Sequence, residues 1–245
     1  MSEPTTNPRI ELARPMIFAL LEDARDLPLL GIAAGLGEVV ALSVRGTSSA
    51  DTTLLDALAR GASRAVQVSD PIFDAVDYLA VAHTLACAVR HLCVPHGSPP
   101  VVVLAGDRGR GAVGPAVAER LTLPHLGAVY GVELARDHLL VDRQLGASVQ
   151  RLRGTPPVVL ACVLPREAPA PVAATPSVEL ELLDLDALHI TQQELLHRRR
   201  FRPEPGAALP SAPRVFASVD RLADRLARDG VWPHRKSADP GPVRE

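Results

Sequence analysis

The stretch Val101-Val102-Val103-Leu104-Ala105-Gly106, continued by Asp107-Arg108-Gly109-Arg110-Gly111-Ala112-Val113-Gly114 and then Pro115, decides how this chain folds. An unbroken apolar run rich in valine reads as a strand buried on both faces, because such a strand needs no polar alternation. Pro115 suits the opening of a helix, where its missing N–H is not required. Between strand and helix, Gly109, Gly111 and Gly114 spell GxGxxG. Glycines in such a turn let backbone N–H groups approach a phosphate, and the start of the helix adds positive potential. Arg108 and Arg110 supply charge-assisted donors. Glu133 stands about where the ribose-binding acid of a dinucleotide site belongs. The same residues also suit a strand-to-helix turn that holds no ligand. A dinucleotide fingerprint normally opens its fold, whereas here three strands are expected ahead of it.

Upstream, residues 16–21 form the first apolar run, residues 26–36 a helical stretch closed by Gly37, and residues 39–44 a second buried strand. Ser48 followed by Asp51 resembles a helix N-cap, and Gly61 lies where a C-terminal glycine belongs. Residues 65–68 read as a third strand. Tyr78, Val81, Ala82, Leu85, Val89 and Leu92 recur at helical spacing and mark the core face of a long helix. Strands alternating with helices predict an α/β protein: a mostly parallel, nucleotide-binding-type sheet with helices on both faces. Beyond Leu123, residues 127–133, 139–143, 148–153 and 158–163 read as short strands, the middle pair an antiparallel hairpin around Gly146. Residues 1–163 are therefore expected to form the core. Residues 164–245 are expected to form an extended C-terminal arm of proline-rich linkers. The arm carries a capping box at Thr191 and Glu194, a short helix running to about Arg200, a last amphipathic helix with Val219, Leu222, Ala223 and Leu226 on one face, and a disordered end from 234. Helices this short must bury their stripe, either on their own core or around another chain.

The 245 residues carry a net charge of -2, which argues against nucleic-acid binding. Aromatics make up 3%, so alanine, valine and leucine build the core. No run reaches the ~18 apolar residues of a membrane helix, and residues 1–9 lack the order of a signal peptide. Cys87, Cys93 and Cys162 form no CxxC pair and read as reduced thiols, so a cytoplasmic protein is expected. His83, Cys87 and His91 share a helix face, but zinc needs three or four converging ligands and Cys87 suits packing; no metal is expected. The run His197-Arg198-Arg199-Arg200 suits a helix C-terminus. No GxSxG and no activated nucleophile is present, so no catalytic residue is assigned and the chain reads as a subunit rather than a self-contained catalyst.

Several motifs in this order resemble the electron transfer flavoprotein beta subunit family. Residues 57–65, Ala-Leu-Ala-Arg-Gly-Ala-Ser-Arg-Ala, are similar to its "ALAMGADRA" junction. Residues 102–106, then Val113-Gly114-Pro115 and residues 118–121, resemble its strand, nucleotide loop and "VGPxLAExL" helix. Leu123-Pro124, the Arg143-to-Gly146 hairpin, Pro157 ahead of residues 158–163, residues 185–190 and residues 219–231 follow suit. The resemblance covers about 16 to 232. It implies pairing with an electron transfer flavoprotein alpha-like subunit as a heterodimer, with FAD held between the two. It also implies electrons arriving from a flavin dehydrogenase, and an AMP in the nucleotide loop. The residues it places at the nucleotide are Leu20, Val44, Gly106, Asp107, Arg108, Gly109, Arg110, Gly111, Ala112 and Val113. Three stretches depart from the family. Glu22 and Asp23 replace "K-x-V-P-D" after the first strand, the nucleotide loop is shorter and lacks a Gln and paired Asp residues, and "PRY" is reduced to Pro165-Arg166. Two other readings remain open: a divergent scaffold subunit without nucleotide, and a nicotinamide-dependent oxidoreductase resting on the fingerprint alone.

Overall fold

A computed structural model of the chain describes residues 15–46, 51–96, 101–107, 112–135, 138–165, 167–171, 180–196 and 218–228. Ser48, the loop residues Arg108, Gly109, Arg110 and Gly111, Arg166 and residues 197–217 and 229–245 lie outside them. The chain divides into two compact units, Met1–Phe201 and Arg202–Glu245. The first begins with β1 (Met16–Leu20), a 3-10 turn at Ala24–Asp26, α1 (Leu29–Ala33), β2 (Glu38–Arg45), α2 (Thr52–Ala59) and β3 (Arg64–Ser69). A second 3-10 turn at Pro71–Asp74 leads to α3 (Tyr78–Cys93), β4 (Val101–Gly106) and α4 (Val113–Leu121). Then come β5 (His125–Leu134), β6 (Leu139–Leu145), β7 (Ser148–Gly154), β8 (Val158–Cys162), β9 (Leu180–Leu183) and α5 (Gln192–Leu196). The second unit contains α6 (Val219–Arg228), on which Val219 and Leu222 are exposed.

Local chemistry accounts for the element ends. Asp51 caps α2, its carboxylate accepting from the Thr53 amide at 2.9 Å. Gly61 ends that helix at φ +102, a conformation only glycine adopts freely, and the Ala62 amide returns to the Ala57 carbonyl. Asp77 caps α3 through the Leu79 and Ala80 amides. The helix expected over 26–36 is instead a 3-10 turn and a short α1. Pro28 interrupts it, since proline cannot donate to a continuing helix. Thr191 and Glu194 form the expected capping box, with the Thr191 amide donating to Glu194 Oε2 at 2.9 Å.

The nine strands form one sheet in the order β7-β6-β5-β8-β4-β1-β2-β3-β9. All neighbours pair in parallel except β5 with β6 and β6 with β7, which form the antiparallel edge. One apolar layer joins α1 and α2 to the sheet through Leu29, Leu30, Leu54 and Leu58 against Ile17, Ala19, Ala41 and Leu104. The other joins α3 and α4 through Leu85, Val89 and Val117 against Phe18, Leu42 and Val103. Helices on both faces are why β1 and β8 are buried at every residue and read as uniform apolar runs. Part of the chain beyond 163 also belongs to this unit. Leu164 and Ala168 pack on the α1–α2 layer, β9 extends the sheet past β3, and Leu185, Leu188, Ile190 and Leu195 are buried on the α3–α4 layer.

Candidate functional site

The sheet reverses its winding between β1 and β4. From β1 the chain moves outward through β2 and β3 on one side, then crosses by α3 to β4 on the other. Parallel crossovers of fixed hand then place α1 and α2 on one face and α3 and α4 on the opposite one, opening a crevice at the carboxyl ends of β1 and β4. The β4–α4 loop with its glycines leaves from this point.

Two cavities flank the reversal. One, of about 180 Å³, lies over the ends of β1 and β2. Leu20, Leu42, Val44, Tyr78, Val81 and Val113 form its apolar walls, with Glu22 and Arg45 the charged groups among its lining residues. Its volume is below the roughly 300–1,000 Å³ of typical small-molecule sites. The other, of about 510 Å³, lies by the ends of β4 and β8, lined by Asp107, Arg25, Pro28, Val163, Leu164 and Ala168. The returning segment thus forms one wall of it, and Pro169 continues along α1, where a Cβ on Gly31 would be 3.9 Å from its ring.

Of the residues assigned from sequence, Leu20, Val44 and Val113 meet around the smaller cavity, and Asp107 faces the larger. Leu20 and Val113 are buried, whereas Gly106, Asp107 and Ala112 are half-buried at the two ends of the loop. Arg108, Gly109, Arg110 and Gly111 lie outside the described residues. Gly114 earns its place by close approach. A Cβ there would lie 3.2 Å from Ala105 Cβ and 3.7 Å from Ala161 Cβ, so only glycine brings α4 this near the sheet.

Further polar groups gather at this end of the sheet, and of these Arg45, Ser43, Gln67 and His125 were not singled out from sequence. Asp51 is the hub of one network. Its Oδ2 accepts from Arg45 Nη2 at 2.6 Å and from Ser43 Oγ at 3.2 Å, and its amide donates to Gln67 Oε1 at 3.0 Å. Gln67 is fully buried within β3, where a burial signal points to valine or leucine; a polar residue inside a short valine-rich strand was the available clue. Asp107 anchors a second group. Its amide donates to the Cys162 carbonyl at 2.7 Å, and its Oδ2 accepts from the Ala128 amide at 3.3 Å. Ala128 has φ +55 and lies where the register of β5 against β8 shifts. Burial, with the Asp107 charge adding to it, pushes the Cys162 thiol up to about 12, so it stays protonated. Burial also holds the His125 imidazole below its ordinary range, the Asp107 charge pulling the other way. His83 and Cys87 stand one helical turn apart on α3, with Nε2 and Sγ 3.9 Å from each other, and Cys87 packs against the apolar layer beneath.

This end of the sheet thus carries an apolar slot with Glu22 and Arg45 among its lining residues, beside the start of α4. Residues 13–188 match the electron transfer flavoprotein domain family. The chain is 35% identical over 132 residues to protein FixA of Azorhizobium caulinodans, covering 51% of this chain and 46% of that protein. It is 31% identical over 169 residues to protein FixA of Bradyrhizobium diazoefficiens, covering 64% and 57%. It is 28% identical over 169 residues to the electron transfer flavoprotein subunit beta of Thermoanaerobacterium thermosaccharolyticum, covering 65% and 62%. The matched stretches thus span between about half and three fifths of those relatives' length.

Proposed function

Because the chain belongs to the electron transfer flavoprotein domain family, we propose that it is the beta-type member of a two-subunit electron carrier. It pairs with an alpha-like subunit that binds most of an FAD, and the pair passes electrons from a flavin dehydrogenase to an acceptor. The observation that carries this reading is the GxGxxG-bearing β4–α4 connection at the sheet's reversal, inside a chain whose relatives include beta subunits. A bound flavin supplies the electron chemistry. This chain's own part is to shape one wall of the cleft, dock the partner, and hold a nucleotide at the crest. The volume of the slot, about 180 Å³, supports AMP rather than a dinucleotide as its occupant, with the flavin chiefly on the partner. The nucleotide's phosphate lies on the loop amides, with Arg108 or Arg110 as countercharge. The partner is held in part by the arm, where Val219 and Leu222 leave an apolar face open. We place the protein in the cytoplasm because its cysteines are few and none forms a CxxC pair; among the described residues no helix is long and apolar enough to cross a membrane.

Co-expression with an alpha-type flavoprotein tests the pairing: the two should co-purify with a flavin absorption spectrum, and removing residues 211–245 should abolish pairing while leaving the core folded. A stable monomer that ignores every co-expressed flavoprotein would overturn it. Calorimetry with AMP, ADP and FAD tests the loop. Arg108→Ala or Gly111→Val should weaken binding roughly tenfold or more, because a charge-assisted contact contributes about 1.5–3 kcal/mol. One observation favours a second reading, a scaffold subunit that pairs without nucleotide. Glu22 lines the slot and Asp51 neutralises its arginine, which leaves little positive charge for an anion there. No binding by the wild type, alone or paired, would select it.

A further inference from the structure

Arg45 closes β2 at the smaller cavity, the one cation among the described residues that line it. β1 stops short of it. The register of the two strands ends with Leu20 opposite Leu42, and the Leu21 amide then donates to the Leu42 carbonyl at 2.9 Å. Carbonyls along a strand alternate between its two neighbours: that of Arg45 faces β3 and accepts from the Asp70 amide at 3.2 Å. The Val44 carbonyl therefore points to the side that β1 has already left. Arg45 satisfies it, Nη1 donating to Val44 O at 3.1 Å while Nη2 pairs with Asp51 Oδ2 at 2.6 Å. Two partners thus fix the plane of the guanidinium at the step between the ends of β1 and β2. Asp51 is itself held on three sides. Its Oδ1 accepts from the Thr53 amide at 2.9 Å, its Oδ2 also accepts from Ser43 Oγ at 3.2 Å, and its amide donates to Gln67 Oε1 at 3.0 Å. Ser43 and Gln67 are buried, and the Arg45 and Asp51 side chains are 24% and 8% exposed. Polar groups inside a valine-rich layer are costly unless paired, and paired they rigidify what they hold.

We propose that Arg45 is a specificity-determining residue of the slot: its guanidinium, fixed and neutralised by Asp51, donates to an acceptor on the edge of a nucleobase and not to a phosphate. This rests on the reading above that a nucleotide occupies the slot, and it assigns the base end of that ligand to Arg45. The charge of Arg45 is matched at close range, so an anion beside it would meet an ion pair rather than a bare cation. A guanidinium has five N–H donors and no acceptor, and two of its donors are engaged by Val44 and Asp51. What it can still offer is a hydrogen bond to a ring nitrogen or a carbonyl oxygen. The aliphatic walls, Leu20, Leu42, Val44, Val81 and Val113, suit an uncharged planar ring and not a phosphate, whose water they could not replace.

Calorimetry with adenosine and AMP, on the full chain alone and paired with an alpha-type flavoprotein, tests this, because adenosine carries the base without the phosphate. Arg45→Lys keeps the charge and loses the planar fork. It should weaken adenosine and AMP by the same factor, roughly tenfold. Asp51→Asn keeps a helix-capping group but exposes the charge of Arg45, and should raise AMP relative to adenosine by about two- to fivefold. In the wild type the guanidinium nitrogen resonances of Arg45 should shift on adding adenosine. Resonances that stay in place while adenosine binds would overturn the proposal even if neither variant folded. A loss in Arg45→Lys confined to AMP, the mark of a phosphate countercharge, would also overturn it, as would an unchanged ratio of the two ligands in a folded Asp51→Asn. An Arg45→Lys protein that binds both ligands as the wild type does would refute the role of Arg45 and leave the nucleotide reading standing. Adenosine bound with the expected dependence on Arg45, but AMP refused, would do the reverse. Binding of neither ligand, alone or paired, would overturn both.

Discussion

One methyl group at Gly114 measures how closely α4 is pressed to the sheet. In Gly114→Ala the new Cβ would sit 3.2 Å from Ala105 Cβ, whereas two carbons settle at about 3.5–4.0 Å. The helix must lift by about 0.3–0.8 Å or the strands must give by that amount. The strands resist, because Ala105 and Ala161 are directly paired on β4 and β8 in the middle of the sheet. Overpacking of this kind costs about 1–3 kcal/mol. Replacing a helical glycine by alanine returns up to about 0.5–1 kcal/mol, less in a first turn. The net loss is about 0.5–2 kcal/mol, read as a lower urea midpoint at unchanged slope. Pairing the change with Ala105→Gly closes the cycle. Removing the methyl that is struck should recover about 0.5 kcal/mol or more relative to the sum of the single changes. A Gly114→Ala protein as stable as the wild type, or two changes that simply add, would show that the helix is not pressed on the sheet as described.

Two further substitutions probe the rest of the unit by the same unfolding assay. Leu195→Ala removes a fully buried side chain from the segment beyond 163 and should cost about 2–5 kcal/mol; an effect below about 0.5 kcal/mol would mean that this segment is not part of the core. Asp51→Asn keeps a capping group but takes away the charge that Arg45 pairs with, and should cost about 1–3 kcal/mol, partly relieved by Arg45→Met; wild-type stability in the single change would dismiss the network.

Much of the fold was legible because its signals are local. The runs at 16–21, 39–44, 101–105 and 158–163 became β1, β2, β4 and β8 within a residue or two, and Tyr78 through Leu92 became α3. Gly61, Thr191 and Glu194 marked helix ends through bonds spanning three to five residues, which sequence order alone arranges, whereas the cap read at Ser48 followed by Asp51 is Asp51 itself, Ser48 lying outside the described residues. The hairpin at Gly146 likewise needs only its own neighbours, with Ser148 opposite Leu145 and φ +60 at the glycine. The candidate site was legible in part for the same reason, since strand, glycine loop and helix are contiguous.

What lay beyond reach required partners distant in the chain. β8 enters the sheet between β5 and β4, and β9 joins β3 more than a hundred residues earlier; nothing in a uniformly apolar strand names its neighbour. The short run at 180–183 follows proline-rich sequence and carries Glu181, whose partner, Arg64 at 2.7 Å, is visible only across the sheet edge. Arg45, Asp51 and Gln67 look unrelated until parallel pairing sets the ends of β2 and β3 side by side. His125 reads as an ordinary polar residue after Pro124 until α4 folds over it and Gly114 leaves it room. The sequence by itself determined which segments would be strands, which would be helices and where a glycine loop would stand, because hydrophobic period and capping act over a few residues. Only the tertiary structure decided which strands are neighbours and which polar side chains share a buried space, because those energies exist only once the sheet has closed and water has been excluded from between its layers.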